Sequence, residues 1–293
     1  MFKNFQQEIN WMNKKPKAQS KKLPQFALEF AFRRATAKYR SMANCVIIGA
    51  QKAGSSSLHY YLSQHPQVQK TFGKEIHYFD GSITDNFDTF AKGENWYRSH
   101  FPLNYNMAQN DICLDATPMY MFNPLVAKRM YQQIPNSKII VLLRNPVERA
   151  ISHYFHTKKM GWETLPIEQA LKQESARLQT ALDKKDYKDK NFRVYSYKKR
   201  GLYWQQIQQF LQYYPKDQFL FVQSEQLFRD PLHVLSKIYE FLNIDSFTVP
   251  DVEAKNRGTK NQFIPQTVYK ELAEHFAEPN KALFQGIDEV YDW

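Results

Sequence analysis

A chain of 293 residues, 43% of them hydrophobic, with 22 Phe and 18 Tyr, carries enough apolar mass for one large globular domain, which excludes general disorder. No apolar run approaches the roughly 18 residues of a membrane span, the Met1-Phe2-Lys3-Asn4 start lacks the apolar stretch of a secretion signal, and Cys45 and Cys113 are too few for a disulfide framework or a zinc site, so a cytoplasmic location is expected. The net charge of +11 is local: residues 1–40 hold ten Lys/Arg against Glu8 and Glu29, a net of +8, and the remainder is near neutral.

In chain order, residues 1–41 read as a basic, partly helical arm in which Phe26, Leu28, Phe30 and Phe32 lie among charges. Such an arm suits contact with an anionic membrane surface or nucleic acid, or simple packing ahead of the first strand. Residues 42–293 are expected to form a single domain. Val46–Ile48 is a short buried strand, Gly49 and Gly54 bracket a four-residue turn, and Ser55–Ser57 open a helix through Leu58, Tyr61 and Leu62. Val68–Thr71 suggests a second strand, Trp96–Phe101 a short helix and Ile112–Leu114 a third strand ended by Asp115-Ala116-Thr117-Pro118. Pro124 fits the first turn of a helix reaching about Ile134. Lys138–Leu143 is the strongest strand, a continuous apolar run of the kind a parallel sheet buries on both faces. Helices follow over about Val147–Lys158, Leu202–Tyr214 and Pro231–Leu242, with a strand at Phe219–Val222, while residues 175–193 read as a mobile or helical excursion. This alternation predicts an α/β fold with a central, mainly parallel sheet flanked by helices, whose ligands bind beyond the carboxyl ends of the strands.

The turn after the first strand is built for an anion. Backbone N–H groups at a glycine-bracketed turn and a helix start converge on one point, and the helix dipole favours negative charge there. A nucleotide-triphosphate P-loop places Lys and Ser/Thr directly after its second glycine. Here Ser55 takes that position and the lysine, Lys52, lies inside the turn, so the loop is P-loop-like without being a Walker A motif. The order Gly-x-x-Lys-x-Gly-Ser-Ser resembles the 5′-phosphosulfate loop of sulfotransferases that use 3′-phosphoadenosine-5′-phosphosulfate (PAPS), most closely the heparan-sulfate type. Arg144, at the end of the strong strand, can make a forked contact with a second phosphate that the Ser152 hydroxyl also reaches. Arg144-Asn145-Pro146 through Ser152 resembles the 3′-phosphate motif of the same family. Lys255-Asn256-Arg257-Gly258-Thr259-Lys260 resembles its mobile loop over the 3′-phosphate and adenine. The resemblance implies PAPS as donor, its desulfated form PAP as product, no metal, and donor contacts from Gln51, Lys52, Ala53, Gly54, Ser55, Ser56, Ser57, Arg144, Ser152, Arg257, Gly258, Thr259 and Lys260.

Sulfuryl transfer to an alcohol or amine needs a group to take the acceptor proton. Lys74-Glu75-Ile76-His77-Tyr78-Phe79-Asp80 resembles the segment carrying the glutamate base of heparan-sulfate sulfotransferases. Carried over, Lys52 and Glu75 are catalytic, His77 is the alternative base, and His77 and Asp80 line the acceptor cleft. Asp115 to Tyr120 resembles an acceptor-side segment, which adds Thr117 and Tyr120 to that cleft. Ala116 stands where the family often has lysine, which argues against a densely anionic acceptor. His156 sits where some relatives place a cleft histidine and is left outside the catalytic set. Leu272, Phe276, Leu283 and Trp293 resemble the family's terminal helix and closing tryptophan.

The expected reaction is in-line sulfuryl transfer to a hydroxyl, or secondarily an amine, of a carbohydrate or glycolipid, with another lipid or a small molecule as further candidates and no nucleic-acid partner. A P-loop kinase or NTPase is the first alternative. It is disfavoured because the lysine is displaced and the strong strand passes from Leu143 to Arg144 with no magnesium-binding aspartate. A non-catalytic polyanion or membrane binder, the second alternative, accounts for the arm alone.

Overall fold

The computed structural model describes residues 23–81, 87–253 and 263–293. Five parallel strands, β1 (Cys45–Gly49), β2 (Val68–Gln69), β3 (Ile112–Ala116), β4 (Lys138–Leu143) and β5 (Phe219–Gln223), form one sheet in the order β2-β3-β1-β4-β5. Helices flank it. Those that matter below are α1 (Leu23–Ala35), α2 (Ser55–Leu62), α3 (Pro146–Lys159), α4 (Ile167–Asp183) and α5 (Gln266–Ile287). Among the described residues no helix is long and apolar enough to cross a membrane.

β1 is buried along its whole length between β3 and β4, and Ile139 to Leu143 of β4 are likewise buried, as their apolar runs require. The chain leaves β1 toward β2 and β3 on one side and later returns to β4 on the other. The strand order therefore reverses beside β1, and the crevice between the carboxyl ends of β1 and β4 is the ligand position of an open α/β sheet. α3 starts sharply at that crevice because the Asn145 side chain accepts from the Val147 amide at 3.0 Å and Pro146 occupies the first helical turn.

Two stretches differ from their sequence expectation, and in a third, residues 175–193, the helical alternative holds. β3 runs on through Asp115 and Ala116, because three hydroxyl donors accommodate the Asp115 carboxylate inside the core. Residues 175–183 continue α4, whose Ile167, Ala170, Leu171, Leu178 and Ala181 bury one helical stripe beneath a charged exterior. The short helix expected at Trp96–Phe101 spans Glu94–Arg98.

α1 is fastened to the body rather than standing off it. Phe30 is fully buried, with its ring centroid 5.6 Å from that of Phe72, and Phe26 stacks on the same ring at 4.8 Å. Just beyond the helix, the buried Arg40 guanidinium donates to the Phe101 carbonyl at 2.8 Å. Cys45 and Cys113 are free and buried, and burial pushes both thiols up to about 12, which makes them inert packing residues.

Candidate active site

The turn between β1 and α2 is shaped by two glycines with different reasons for being glycine. A Cβ on Gly49 would lie 2.7 Å from Met121 Cβ and 3.3 Å from the Pro118 carbonyl oxygen, so the backbone passes where no side chain fits. Gly54 has φ of +97° and precedes the first residue of α2, a left-handed conformation natural to glycine. Lys52 also adopts a positive φ, 72°. The turn's carbonyls are held from outside: Arg144 Nη1 donates to the Lys52 oxygen at 3.1 Å and Ser224 Oγ to the Ala53 oxygen at 2.9 Å. The Ser57 and Leu58 amides turn back to the Gly54 oxygen at 2.9 and 3.0 Å, and the start of α2 presents the positive end of the helix dipole to the turn.

Positive charge gathers around this cradle. Burial lowers the Lys52 ammonium below its usual range, and the charges of Arg144, Lys159 and Arg149 lower it further. Gln51 Oε1 is buried beside the turn without a hydrogen-bond partner. Arg144 reaches Glu148 across one helical turn at 3.6 Å, and Ser152 lies farther along the same helix, half-buried. A glycine-shaped turn at a helix start with Lys52 inside it could hold an anion such as a phosphosulfate, and Arg144 beside it could meet a second phosphate. Arg257, Gly258, Thr259 and Lys260 lie outside the described residues. Among the described residues no group of three or more His, Cys, Asp or Glu side chains could hold a metal ion.

The second half of the site is the loop after β2. Lys74 Nζ donates to Ser56 Oγ at 2.6 Å and lies 3.5 Å from Glu75 Oε1, so one lysine ties the cradle helix to the carboxylate. Glu75 Oε2 is 3.7 Å from His77 Nε2, and His77 Nδ1 is 2.7 Å from Asp80 Oδ2. The three side chains form a line from a half-exposed glutamate to a buried aspartate. Burial alone would lower the His77 imidazole, but the charge and hydrogen bond of Asp80, with a further contribution from Glu75, raise it to about 9. His77 is therefore an imidazolium at neutral pH. Glu75 and His77 both have φ of 56°, a left-handed conformation that β-carbon residues adopt only where surrounding contacts hold them.

Those contacts come from the core. The Tyr78 amide donates to Tyr120 Oη at 3.0 Å, Arg129 Nη1 donates to the Phe79 oxygen at 2.8 Å, and Thr89 Oγ1 donates to the His77 oxygen. Tyr120 Oη in turn donates to Asp115 at 3.0 Å, as do Thr117 Oγ1 at 2.7 Å and Tyr97 Oη at 3.1 Å. Burial raises the Asp115 carboxyl to about 6, opposed first by the hydrogen bond from Thr117.

The structure thus brings Lys52, Glu75, Arg144 and Ser56 to one crevice and corrects other placements. Thr117 and Tyr120 do not line a cleft: both are fully buried, with their hydroxyls committed to Asp115, and Tyr120 supports the Glu75 loop from behind. His77 and Asp80 are also buried, because ion pairing between them compensates the loss of water, so they stand behind Glu75 rather than on the cleft wall. His156, left out of the catalytic set, is half-buried in α3. Burial and then Lys52 lower its imidazole while Glu75 raises it, so it feels the charge of both catalytic candidates. Its signal in the sequence was its place where some relatives carry a cleft histidine.

The fold and the lysine-bearing anion turn define a class. A family model described as the sulfotransferase domain matches residues 43–257, and the chain belongs to that family; it is a sulfotransferase. It is 27% identical over 279 residues to human heparan sulfate glucosamine 3-O-sulfotransferase 6, covering 87% of this chain and 74% of that protein. It is 31% identical over 208 residues to human bifunctional heparan sulfate N-deacetylase/N-sulfotransferase 2, covering 69% of this chain and 22% of that protein. A solved sulfotransferase from Alicyclobacillus acidocaldarius superposes with a TM-score of 0.68 at 28% identity, covering 86% of this chain and 98% of that one.

Proposed function

We propose that this sulfotransferase uses PAPS as donor and transfers the sulfuryl group to a carbohydrate hydroxyl, with Glu75 as the general base. The observation that carries this reading is the joining of the Lys52 turn to Glu75 through Lys74, which holds an anion cradle and a partly exposed carboxylate side by side. Relatives whose names specify heparan sulfate glucosamine 3-O-sulfation support a sugar hydroxyl as acceptor.

The amides from Ala53 to Ser57 would hold the phosphosulfate, while Arg144 and Ser152 would hold the 3′-phosphate, joined by residues of the Arg257–Lys260 loop. When bound, PAPS supplies the sulfuryl group and departs as PAP. Lys52 places positive charge where the leaving phosphate becomes more negative, and fixed amides stabilise that charge without reorganising. Glu75 takes the acceptor proton. His77, protonated between Asp80 and Glu75, keeps the Glu75 carboxylate ionised and aimed, and as an imidazolium it has no lone pair with which to act as the base itself. Ala116 ends β3 where the resemblance implies a lysine, and the missing charge favours a sparsely charged sugar over a dense polyanion.

Incubation with PAPS carrying labelled sulfate and a set of neutral, singly charged and heavily sulfated oligosaccharides tests the reading. Label on a sugar hydroxyl of a sparsely charged acceptor is expected. Label transfer confined to amines or to non-carbohydrate acceptors would refute the acceptor assignment, and failure to consume PAPS with any acceptor would refute the donor.

A further inference from the structure

α1 has two unlike faces. Phe26 and Phe30 pack inward on Phe72, whereas Leu28 and Phe32, one helical turn apart, are 71% and 58% exposed. Two tyrosines beyond the helix are exposed as well: Tyr39 at 57%, and Tyr105, at 80%, on a turn that Ser41 Oγ binds through Asn104 Oδ1 at 2.8 Å. The Arg40 guanidinium lies 5.8 Å from the Phe32 ring centroid and exposed Lys38 places its Nζ 4.7 Å from that of Tyr39, while Arg33 is paired with Glu29 at 3.2 Å.

In sequence, the 22 residues before Leu23 add six lysines against the single acid Glu8. Phe2, Phe5, Ile9, Trp11 and Met12 stand among them. Apolar side chains flanked by clustered cations are the chemistry of the bilayer interface, where insertion and attraction to anionic headgroups act together. A second copy of the chain is disfavoured as occupant, because apposing two such faces would bring two net charges of +8 together. Nucleic acid would leave Leu28 and Phe32 without a partner chemistry.

We infer that the outer face of α1 is a docking surface for a bilayer containing anionic phospholipids, with Leu28 and Phe32 entering the acyl boundary and Lys38 meeting the phosphates. Because α1 rests on Phe72, three residues before Glu75, docking keeps the acceptor side of the site close to the helix that touches the bilayer, which suits a lipid-borne acceptor. That consequence rests on the proposed transfer reaction, whereas the docking does not.

Co-sedimentation of the full chain with vesicles of phosphatidylcholine alone, or mixed with phosphatidylglycerol, tests it without reference to catalysis. Binding is expected only to the mixed vesicles, weakening as salt rises toward about 0.5 M. Leu28→Ser combined with Phe32→Ser should lower partitioning by about tenfold or more at an unchanged thermal midpoint, since both side chains are exposed. A nitroxide at Phe32→Cys is selective because Cys45 and Cys113 are buried, and on vesicles it should become accessible to oxygen and shielded from a nickel chelate. Absence of binding to the anionic vesicles overturns the inference. So does wild-type binding by the double variant, a label that stays open to the chelate, or a concentration-dependent dimer that the double variant abolishes.

Discussion

Arg144 donates to the carbonyl oxygen of Lys52 at 3.1 Å, so the residue just past β4 holds the turn that follows β1. The two strands are neighbours at the point where strand order reverses, and this one bond spans the crevice between them. Arg144 thus has two tasks, shaping the lysine turn and offering positive charge to the donor.

Arg144→Ala should accordingly raise the KM for PAPS by about 10- to 100-fold, the range for losing a charged hydrogen-bonding partner. Arg144→Lys should recover only part of this, because an ammonium cannot reproduce the guanidinium fork. Initial-rate kinetics with varied donor and saturating acceptor separate the two variants.

Lys52→Ala should lower kcat by about 10²- to 10³-fold, comparable to removal of one pre-organised donor at a developing charge. PAP affinity measured by calorimetry should change much less, since the ammonium acts chiefly on charge that grows during transfer. An equal loss in PAP binding and in kcat would assign Lys52 to binding alone.

His77 provides a pH test with a definite sign. Its folded-state pKa of about 9 lies above the ordinary 6.5, so the stability it contributes is fully present below about pH 6.5 and is lost as pH rises through about 9. The stability difference between wild type and His77→Gln, measured by urea unfolding, should shrink by an amount on the order of 3 kcal/mol across that window. In Asp80→Asn the window should move downward, as the imidazolium loses its main partner. Glu75→Gln should abolish most turnover while leaving folding intact.

Gly54→Ala combines two penalties, because the new Cβ would meet the Phe228 ring at 2.8 Å and the backbone would remain at φ of +97°. A loss of about 1 to 3 kcal/mol is expected. Phe228→Ala in the same chain should remove the steric part and leave the conformational part, so a double-mutant cycle on thermal unfolding should show partial rescue. Full rescue would mean that the positive φ carries no cost.

Much of the fold was readable because its signals are short-range. Lys138–Leu143 and Pro231–Leu242 run over the residues that their apolar patterns predict, the second opened by proline at a helix start. α4 was harder to read because Gln169, Lys172, Gln173 and Gln179 on its outer face mask a buried stripe. Asp115 looked like a strand terminator, since an aspartate belongs inside a strand only when distant residues, here Tyr97 and Tyr120, bring it donors.

The sequence by itself determined the anion turn. Gly49, Lys52, Gly54 and the serines act through backbone conformation and helix-start amides, which depend on residues a few positions apart. Tertiary structure alone decided the roles of His77, Asp80, Thr117 and Tyr120. A titratable group's charge and a hydroxyl's partner depend on burial and on neighbours from other elements: Asp80 and Glu75 make His77 a cation, and Asp115 draws Thr117 and Tyr120 away from the cleft. Glu75 belongs to both accounts, suggested by its local motif and brought beside the cradle by Lys74 through Ser56, a residue 18 positions before that lysine.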